Sequence, residues 1–228
     1  MTPSVTVLQL DTAFPRVPGD VGCPDTYLEG VEILTVKDAT VKKVVCDRPD
    51  LIDIAPFERA LQHAAGEVVV TSCGFLSYWQ PHLVRQTPKP FISSALTALT
   101  QLSHIYTPEE ILILTFDAAR LSKLHFGAYA EFAKGVVGLP PSMHLRDVIT
   151  QDLDQLDTSR VTRELTEFVS LNQRPQHKHL LLECTNLPPY KAALQDVTQL
   201  PITDILSQIE AARSSTVQPT YLSSMTAK

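Results

Sequence analysis

The chain has 228 residues, of which 44% are hydrophobic and 19% are charged, and its formal net charge at pH 7 is −6. This length allows one large or two small globular domains with a buried core. An acidic balance with no basic run longer than Lys42-Lys43 argues against a surface that binds nucleic acid. Neither a signal peptide nor an apolar run of membrane-spanning length is recognisable, so we expect a cytoplasmic protein without membrane partners.

Short apolar runs alternate along the chain with segments of helical periodicity. Five runs predict strands, at residues 5–10, 31–36, 67–72, 110–116 and 179–183. Helical spacing is clearest at residues 55–65, 121–134 and 158–172. This alternation is typical of parallel sheets in an α/β fold.

The sequence contains an internal repeat. "LQLDTA" at 8–13 matches "LTFDAA" at 114–119, since each is an apolar strand that ends in Asp and two small residues. "VVVTSCGF" at 68–75 matches "LLLECTNL" at 180–187 in the same way. The repeat therefore predicts two copies of one α/β unit.

A pair of prolines gives the same register for the repeat. Pro90 lies 90 − 73 = 17 positions after Cys73, and Pro201 lies 201 − 184 = 17 positions after Cys184. We therefore expect two similar lobes with parallel sheets, related by a pseudo-two-fold axis. The expected boundaries are 1–103 for the first lobe and 104–206 for the second, with 207–228 packing back on the first.

Four side chains follow strands at equivalent places in the two halves, and these are Asp11, Cys73, Asp117 and Cys184. Functional groups collect at the carboxyl ends of parallel strands. If the two halves face each other, the two cysteines lie on opposite sides of one cleft. Four cysteines in a chain without a secretory signal indicate reduced thiols rather than a disulfide framework.

The Asp-bearing first strand, "TSCGF" and "LECTN", at this spacing in a duplicated chain, resemble the aspartate/glutamate racemase superfamily. The resemblance covers nearly the whole chain. It implies an enzyme without cofactor or metal, in which Cys73 and Cys184 act as thiolate base and thiol acid on a carbon beside a carboxylate. The implied partner is a small carboxylate-bearing substrate, and a homodimer remains open.

Further residues are predicted to surround the substrate. The resemblance brings Asp11 and Thr12 near the first thiol, and Asp117 is expected in a supporting role. Arg16, in a Pro- and Gly-rich loop, could clamp a carboxylate. Donors to the developing enolate are expected from the residues after each thiol, Gly74, Phe75, Thr185 and Asn186. A helix start at each cysteine would lower the pKa of the thiol.

The residues after each cysteine differ from those of glutamate racemases, which typically have Asn-Thr after the first and Thr-His after the second. We therefore expect a racemase or epimerase acting on an amino acid or derivative other than glutamate. A maleate-isomerase-like reaction or a malonate decarboxylation on the same fold is the alternative. A redox protein with a dithiol is the alternative outside the enzymes.

Overall fold

The computed structural model describes residues 2–222. In this part of the chain, eight strands form two four-stranded parallel sheets. The first sheet has the order β2-β1-β3-β4 and contains β1 (Val5–Leu10), β2 (Val31–Val36), β3 (Val68–Thr71) and β4 (Phe91–Ile92). The second has the order β6-β5-β7-β8 and contains β5 (Ile111–Thr115), β6 (Val136–Gly138), β7 (His179–Leu182) and β8 (Ile202–Thr203). The shared order confirms two similar α/β lobes.

Helices connect the strands of each sheet. The α-helices are α1 (Val41–Val44), α2 (Ala55–His63), α3 (Gln80–Val84), α4 (Leu99–Leu102), α5 (His144–Gln151), α6 (Thr158–Asn172), α7 (Lys191–Val197) and α8 (Ile205–Ala212). Segments of 3-10 helix are Pro24–Thr26, Pro49–Leu51, Gly74–Trp79, Ala95–Ala98, Lys123–Gly135, Pro188–Tyr190 and Pro219–Tyr221. Among residues 2–222, no helix combines the length and the apolar character that crossing a membrane requires.

All five predicted strands are present, as β1, β2, β3, β5 and β7, and two of the predicted helices are α2 and α6. The prediction of a helix over 121–134 is wrong. That segment is 3-10 helix interrupted at Gly127, whose φ of 53° and ψ of −121° lie far from helical values. Because glycine adopts positive φ without a steric penalty, the apolar spacing there produces a kinked turn instead of a continuous helix.

The backbone hydrogen bonds confirm the register of the repeat. The Val69 amide donates to the Pro90 carbonyl at 2.9 Å, and the Leu180 amide donates to the Pro201 carbonyl at 3.0 Å. Each proline thus precedes the two-residue edge strand of its sheet, β4 or β8. Proline suits this place because an edge position does not require its missing N–H group.

The core forms because the central strands are apolar on both faces. Every residue of β3, β5 and β7 is buried, as expected of parallel strands covered by helices on either side. Helix α6 contributes Val161, Leu165 and Val169, which are spaced four apart and lie on one face. The Asp157 side chain starts this helix by accepting the Arg160 amide hydrogen bond at 2.9 Å.

The C-terminal part of the described chain contacts the first lobe. Helix α8 packs on β3 and β4 of the first sheet, and Val217 forms a β-bridge with Tyr27. The expected segment 207–228 extends past these residues, since 223–228 lie outside the described part. The lobe boundaries stay a prediction.

A buried ion pair connects α7 to α8. Lys191 Nζ lies 2.6 Å from Asp204 Oδ2, and the two side chains are 3% and 0% exposed. Asp204 also caps α8, since its Oδ1 accepts the Ser207 amide at 2.8 Å. The pair therefore ties the helix that follows the second cysteine to the helix that packs on the first sheet.

We expect Asp204→Asn to destabilise the fold by about 3–5 kcal/mol, because an amide keeps the helix cap but leaves the Lys191 ammonium buried without a counter-charge. Urea unfolding followed by circular dichroism measures the loss. The double variant Lys191→Met/Asp204→Asn has no unpaired charge and should recover part of the stability. A single variant as stable as the unaltered chain would contradict this role.

Candidate functional site

Each cysteine occupies the corner where a central strand ends. Cys73 follows β3 and Cys184 follows β7. The expectation that a helix starts at each thiol is confirmed at Cys73, where the helix is of the 3-10 type, and is wrong at Cys184. A 3-10 segment, Gly74–Trp79, follows the first thiol, and Pro188–Tyr190 follows the second after a turn, while the α-helices α3 and α7 start later. Pro81 lies in the first turn of α3, and Pro188 begins the second 3-10 segment. Both positions fit the preference of proline for the first helical turn.

The two corners line one cavity of about 370 Å³, open solvent at its mouth included. Seven of the predicted site residues line it, and these are Cys73, Gly74, Phe75, Arg16, Cys184, Thr185 and Asn186. Most of the remaining wall is apolar and comes from both lobes, with Leu10, Phe14, Val41, Val45, Phe116 and Ile149. Ser72 and Glu183 complete the lining. The fold thus brings both thiols to the same enclosed space.

The two predicted aspartates do not line this cavity. Asp11 Oδ2 accepts the Asp38 amide at 2.9 Å, which ties the end of β1 to the end of β2. Asp117 Oδ2 accepts a hydrogen bond from Arg146 Nη2 at 2.7 Å. Both carboxylates therefore anchor turns at the strand ends.

A charged network joins the loop after β1 to the second corner. Arg16 Nη1 pairs with Asp20 Oδ1 at 3.0 Å, and their side chains are 8% and 3% exposed. Arg16 also donates to Thr12 Oγ1 at 3.3 Å, and Thr12 itself does not line the cavity. Asp20 Oδ2 accepts from Asn186 Nδ2 at 2.6 Å, and Asn186 Oδ1 lies 3.7 Å from the Cys184 sulfur as its acceptor. Both terminal nitrogens of Arg16 and the side-chain amide of Asn186 are therefore engaged within the protein, whereas the buried Arg16 Nε has no hydrogen-bond partner among residues 2–222.

The two corners are also bonded directly to each other. Thr185 Oγ1 donates to the Ser72 carbonyl at 2.7 Å, across the boundary between the lobes. Ser72 Oγ in turn accepts the Leu10 amide at 2.9 Å. The Thr185 hydroxyl therefore holds the lobes together at the cavity floor.

Burial controls the acidity of the thiols. It raises the pKa of Cys73 to about 12 and raises the pKa of Cys184 strongly as well. The amides of Phe75 and Asn186 act in the opposite direction through hydrogen bonds to the sulfurs. Loss of hydration outweighs these bonds, so the expected lowering of the thiol pKa is wrong. Two of the residues expected to donate to an enolate, Phe75 and Asn186, thus have backbone amides that donate to the sulfurs.

Glu183 is the site residue that sequence reasoning missed most clearly. It is fully buried, and Thr115 Oγ1 donates to its Oε2 at 2.6 Å. Burial raises the pKa of this carboxyl to about 7. The signal in the sequence is a carboxylate inside the apolar run "LLLECT", where a charge is unexpected. Asp20 was missed as well, because a lone Asp in a Pro- and Gly-rich loop resembles a turn residue.

Comparison with known proteins gives both sequence relatives and structural neighbours. No protein-family model matches the chain. The chain is 28% identical over 241 positions to dimethylsulfoniopropionate lyase 5 of Emiliania huxleyi strain CCMP1516, covering 96% of this chain and 47% of that protein. It is 25% identical to a dimethylsulfoniopropionate lyase of Durusdinium sp. clade D, covering 89% and 71% respectively. The chain thus spans about half the length of the Emiliania relative.

Among solved structures, the fold is similar to glutamate racemase from Francisella tularensis subsp. tularensis SCHU S4 in complex with D-glutamate. The TM-score is 0.51 at 12% identity, and the match covers 92% of this chain and 79% of that one. At this identity the likeness concerns the fold alone.

We expect Gly74→Ala to destabilise the protein by about 1–3 kcal/mol, because a β-carbon at this corner would overlap the Glu183 carboxyl. Gly30→Ala is the matched control, since a β-carbon there meets no atom within 4 Å. Thermal unfolding of the two variants measures the difference. Equal stability of the two variants would mean that the carboxyl is not packed against the corner.

Proposed function

We propose, from the aspartate/glutamate racemase fold of this chain, that it is an enzyme that removes a proton from the carbon beside a substrate carboxylate and expels a group from the next carbon. The substrate class we favour is a β-sulfonium carboxylate such as dimethylsulfoniopropionate, the compound that the names of the sequence relatives contain. The observation that carries the proposal is the pair of strand-end thiols lining one largely apolar cavity.

The reaction begins as a racemisation does and ends differently. A thiolate of the pair takes the proton from the carbon beside the carboxylate, and the electrons of that C–H bond form the new C=C bond. The bond between the next carbon and the sulfonium sulfur breaks, and its electrons leave with dimethyl sulfide. The other product is acrylate, and the proton remains on the cysteine until it passes to solvent. The leaving group, and not the base, distinguishes this lyase chemistry from racemisation.

A cationic substrate suits thiols that are weak acids. Burial makes the thiolate of Cys73 or Cys184 costly. A sulfonium cation held in the same low-dielectric space would stabilise a thiolate directly, since opposite charges favour the ionised form. Aromatic rings in the wall also suit an onium group, because such cations are attracted to the ring face. The base would therefore form mainly when the substrate is bound.

The two thiols have unequal surroundings. Burial raises the pKa of Cys73, and the Arg16 guanidinium offsets a small part of that rise, while the Cys184 thiol has Asn186 Oδ1 as an acceptor, which favours its protonated form. A racemase that works in both directions needs two thiols that exchange the roles of acid and base. An elimination needs one base only, and this asymmetry supports it.

The second candidate is the racemase or epimerase expected from the sequence, with both cysteines as acid and base on an amino acid or derivative. The presence of a cysteine at each corner supports it. Against an amino acid with two carboxylates, the side chains of Thr185 and Asn186 and both terminal nitrogens of Arg16 are bonded within the protein, so Arg16 Nε is the cationic donor of the lining left for a carboxylate.

Purified chain incubated with dimethylsulfoniopropionate should release dimethyl sulfide, measured by gas chromatography, and acrylate in equal amount. Replacing the base thiol, in Cys73→Ser or Cys184→Ser, should lower the rate by about 10²–10⁴-fold, because a serine hydroxyl is a far weaker base. Cys23→Ser is the matched control, since Cys23 is buried but does not line the cavity.

A parallel incubation with amino acids in heavy water tests the second candidate. No dimethyl sulfide from the unaltered chain, together with deuterium entering an amino acid at its α-carbon, would overturn the lyase proposal in favour of a racemase. Release of dimethyl sulfide that survives in both single serine variants would overturn the role of the thiols.

A further inference from the structure

The carboxyl of Glu183 lies between the two cysteine corners. Its residue immediately precedes Cys184 in the second lobe, yet its Oε1 lies against the backbone of Gly74, the residue after Cys73 in the first lobe. Glu183 is 0% exposed and is part of the cavity lining. One carboxyl group therefore lies between the residues that adjoin the two thiols, in the lining that it shares with both.

The two oxygens of this carboxyl differ in their surroundings. Oε2 accepts the hydrogen bond from Thr115 Oγ1 at 2.6 Å. Oε1 meets the geometry of a hydrogen bond with no atom of residues 2–222, although the Ser94 hydroxyl lies near enough to the carboxyl to lower its pKa. A buried polar atom without a partner is costly, so it marks a site with a function or a transient partner. The oxygen turned toward the Gly74 corner is the one that can take up a proton.

The thiols require such an acceptor. A buried cysteine must lose its own proton before it can act as a base, and among the described residues Glu183 is the one carboxyl group in the cavity lining that can accept it. Besides Glu183, the charged or titratable side chains of the cavity wall are the two cysteines and Arg16, whose guanidinium is paired with Asp20.

The groups packed around the carboxyl are mostly uncharged, and Asp20, which accepts a hydrogen bond from Asn186, is the other carboxylate whose charge reaches Cys184. Thr115 on β5 and Ser94, before the 3-10 segment Ala95–Ala98, present uncharged hydroxyls. Beyond Phe75 lies His125, whose ring meets the phenyl edge with centroids 5.1 Å apart. Burial keeps His125 neutral and lowers its pKa to about 4, and the phenyl ring separates it from the thiols.

We propose that Glu183 is a positioning residue that holds the proton of the thiol pair, with Oε1 accepting it from a cysteine sulfur when the substrate binds. The S–H bond breaks, its electrons stay on sulfur as the thiolate, and a new O–H bond forms on Oε1. After the thiolate has taken a proton from the substrate, the site carries one proton more than at the start, and that proton leaves with product release.

The exchange keeps the charge of the cavity constant. An ionised Glu183 raises the pKa of both thiols, since like charges repel. When the proton moves from sulfur to oxygen, the carboxylate charge disappears as the thiolate charge appears. The carboxyl and the thiols therefore titrate as one coupled unit, whose first proton is lost near the pKa of about 7 of Glu183.

The test is the rate of alkylation of each cysteine by iodoacetamide as a function of pH, read by mass spectrometry in the full chain. In the unaltered protein, the reactivity of a cavity cysteine should rise through an inflection near pH 7 and then level off. Glu183→Gln keeps the size of the side chain but cannot take the proton, so the inflection should be lost. Cys46, which is partly exposed, is the internal control and should not change.

Thr115→Val supplies an independent variant. The hydroxyl lowers the pKa of Glu183 by donating to Oε2, so its removal should move the inflection to higher pH. Infrared spectroscopy of the unaltered protein should show a carboxylic acid band that titrates near pH 7, and this measurement decides even if Glu183→Gln fails to fold. A purely structural carboxyl would leave the alkylation profile unmoved in both variants, which would overturn the inference.

The inference rests on the proposed function only for the identity of the substrate. An inflection that depends on Glu183, in a chain that releases no dimethyl sulfide, would overturn the proposed substrate and keep the proton-holding role. Release of dimethyl sulfide with identical alkylation profiles in the unaltered chain and Glu183→Gln would keep the proposed substrate and overturn the proton-holding role.

Discussion

The contact between the Glu183 carboxyl and the backbone of Gly74 is the constraint on which the site depends. Because residue 74 has no side chain, a strand end of the second lobe can approach the corner of the first. The Thr185 hydroxyl fixes the same approach from the other side by donating to the Ser72 carbonyl. These two contacts bring the two corners together, and both thiols are buried there. The loop that carries Arg16 and Asp20 then closes one wall.

That closure determines the chemistry. Dehydrated thiols are poor acids, and the amides at the corners offset only part of the loss. The site therefore needs a positive charge from the substrate to favour a thiolate and an internal acceptor for the displaced proton. A sulfonium substrate would supply the first and Glu183 the second. The same burial that opposes ionisation of the thiols would strengthen the attraction of the thiolate to the sulfonium and the hold of Glu183 on the proton once the substrate is bound.

Much of the fold could be predicted from the sequence because the signals are local and repeated. The central strands are continuous apolar runs, and the repeat fixed which residues are equivalent, including Pro90 and Pro201 before the edge strands. The edge strands β4, β6 and β8 could not be predicted, since two or three residues carry too little pattern. Gly127 gave the misleading helix, because spacing alone does not reveal a positive φ.

Seven of the ten predicted site residues line one cavity, but the electrostatics of that cavity could not be predicted from the sequence. Whether an aspartate at a strand end faces a cavity or a turn depends on its partner, and the partners of Asp11 and Asp117 lie far away in sequence. The direction of the thiol pKa depends on burial, which emerges only when the two lobes meet. Proton removal beside a carboxylate was the function expected, while the lyase outcome depends on a leaving group that no residue pattern specifies.

Dimethylsulfoniopropionate carrying a single deuterium of one handedness at the carbon beside the carboxylate tests the central claim most directly. A thiolate fixed on one side of the cavity removes the proton from one face, so the acrylate should either keep the deuterium in nearly all molecules or lose it in nearly all. The substrate of opposite handedness should give the opposite result by mass spectrometry. An equal mixture of labelled and unlabelled acrylate from both substrates would contradict removal of the proton by a fixed thiolate.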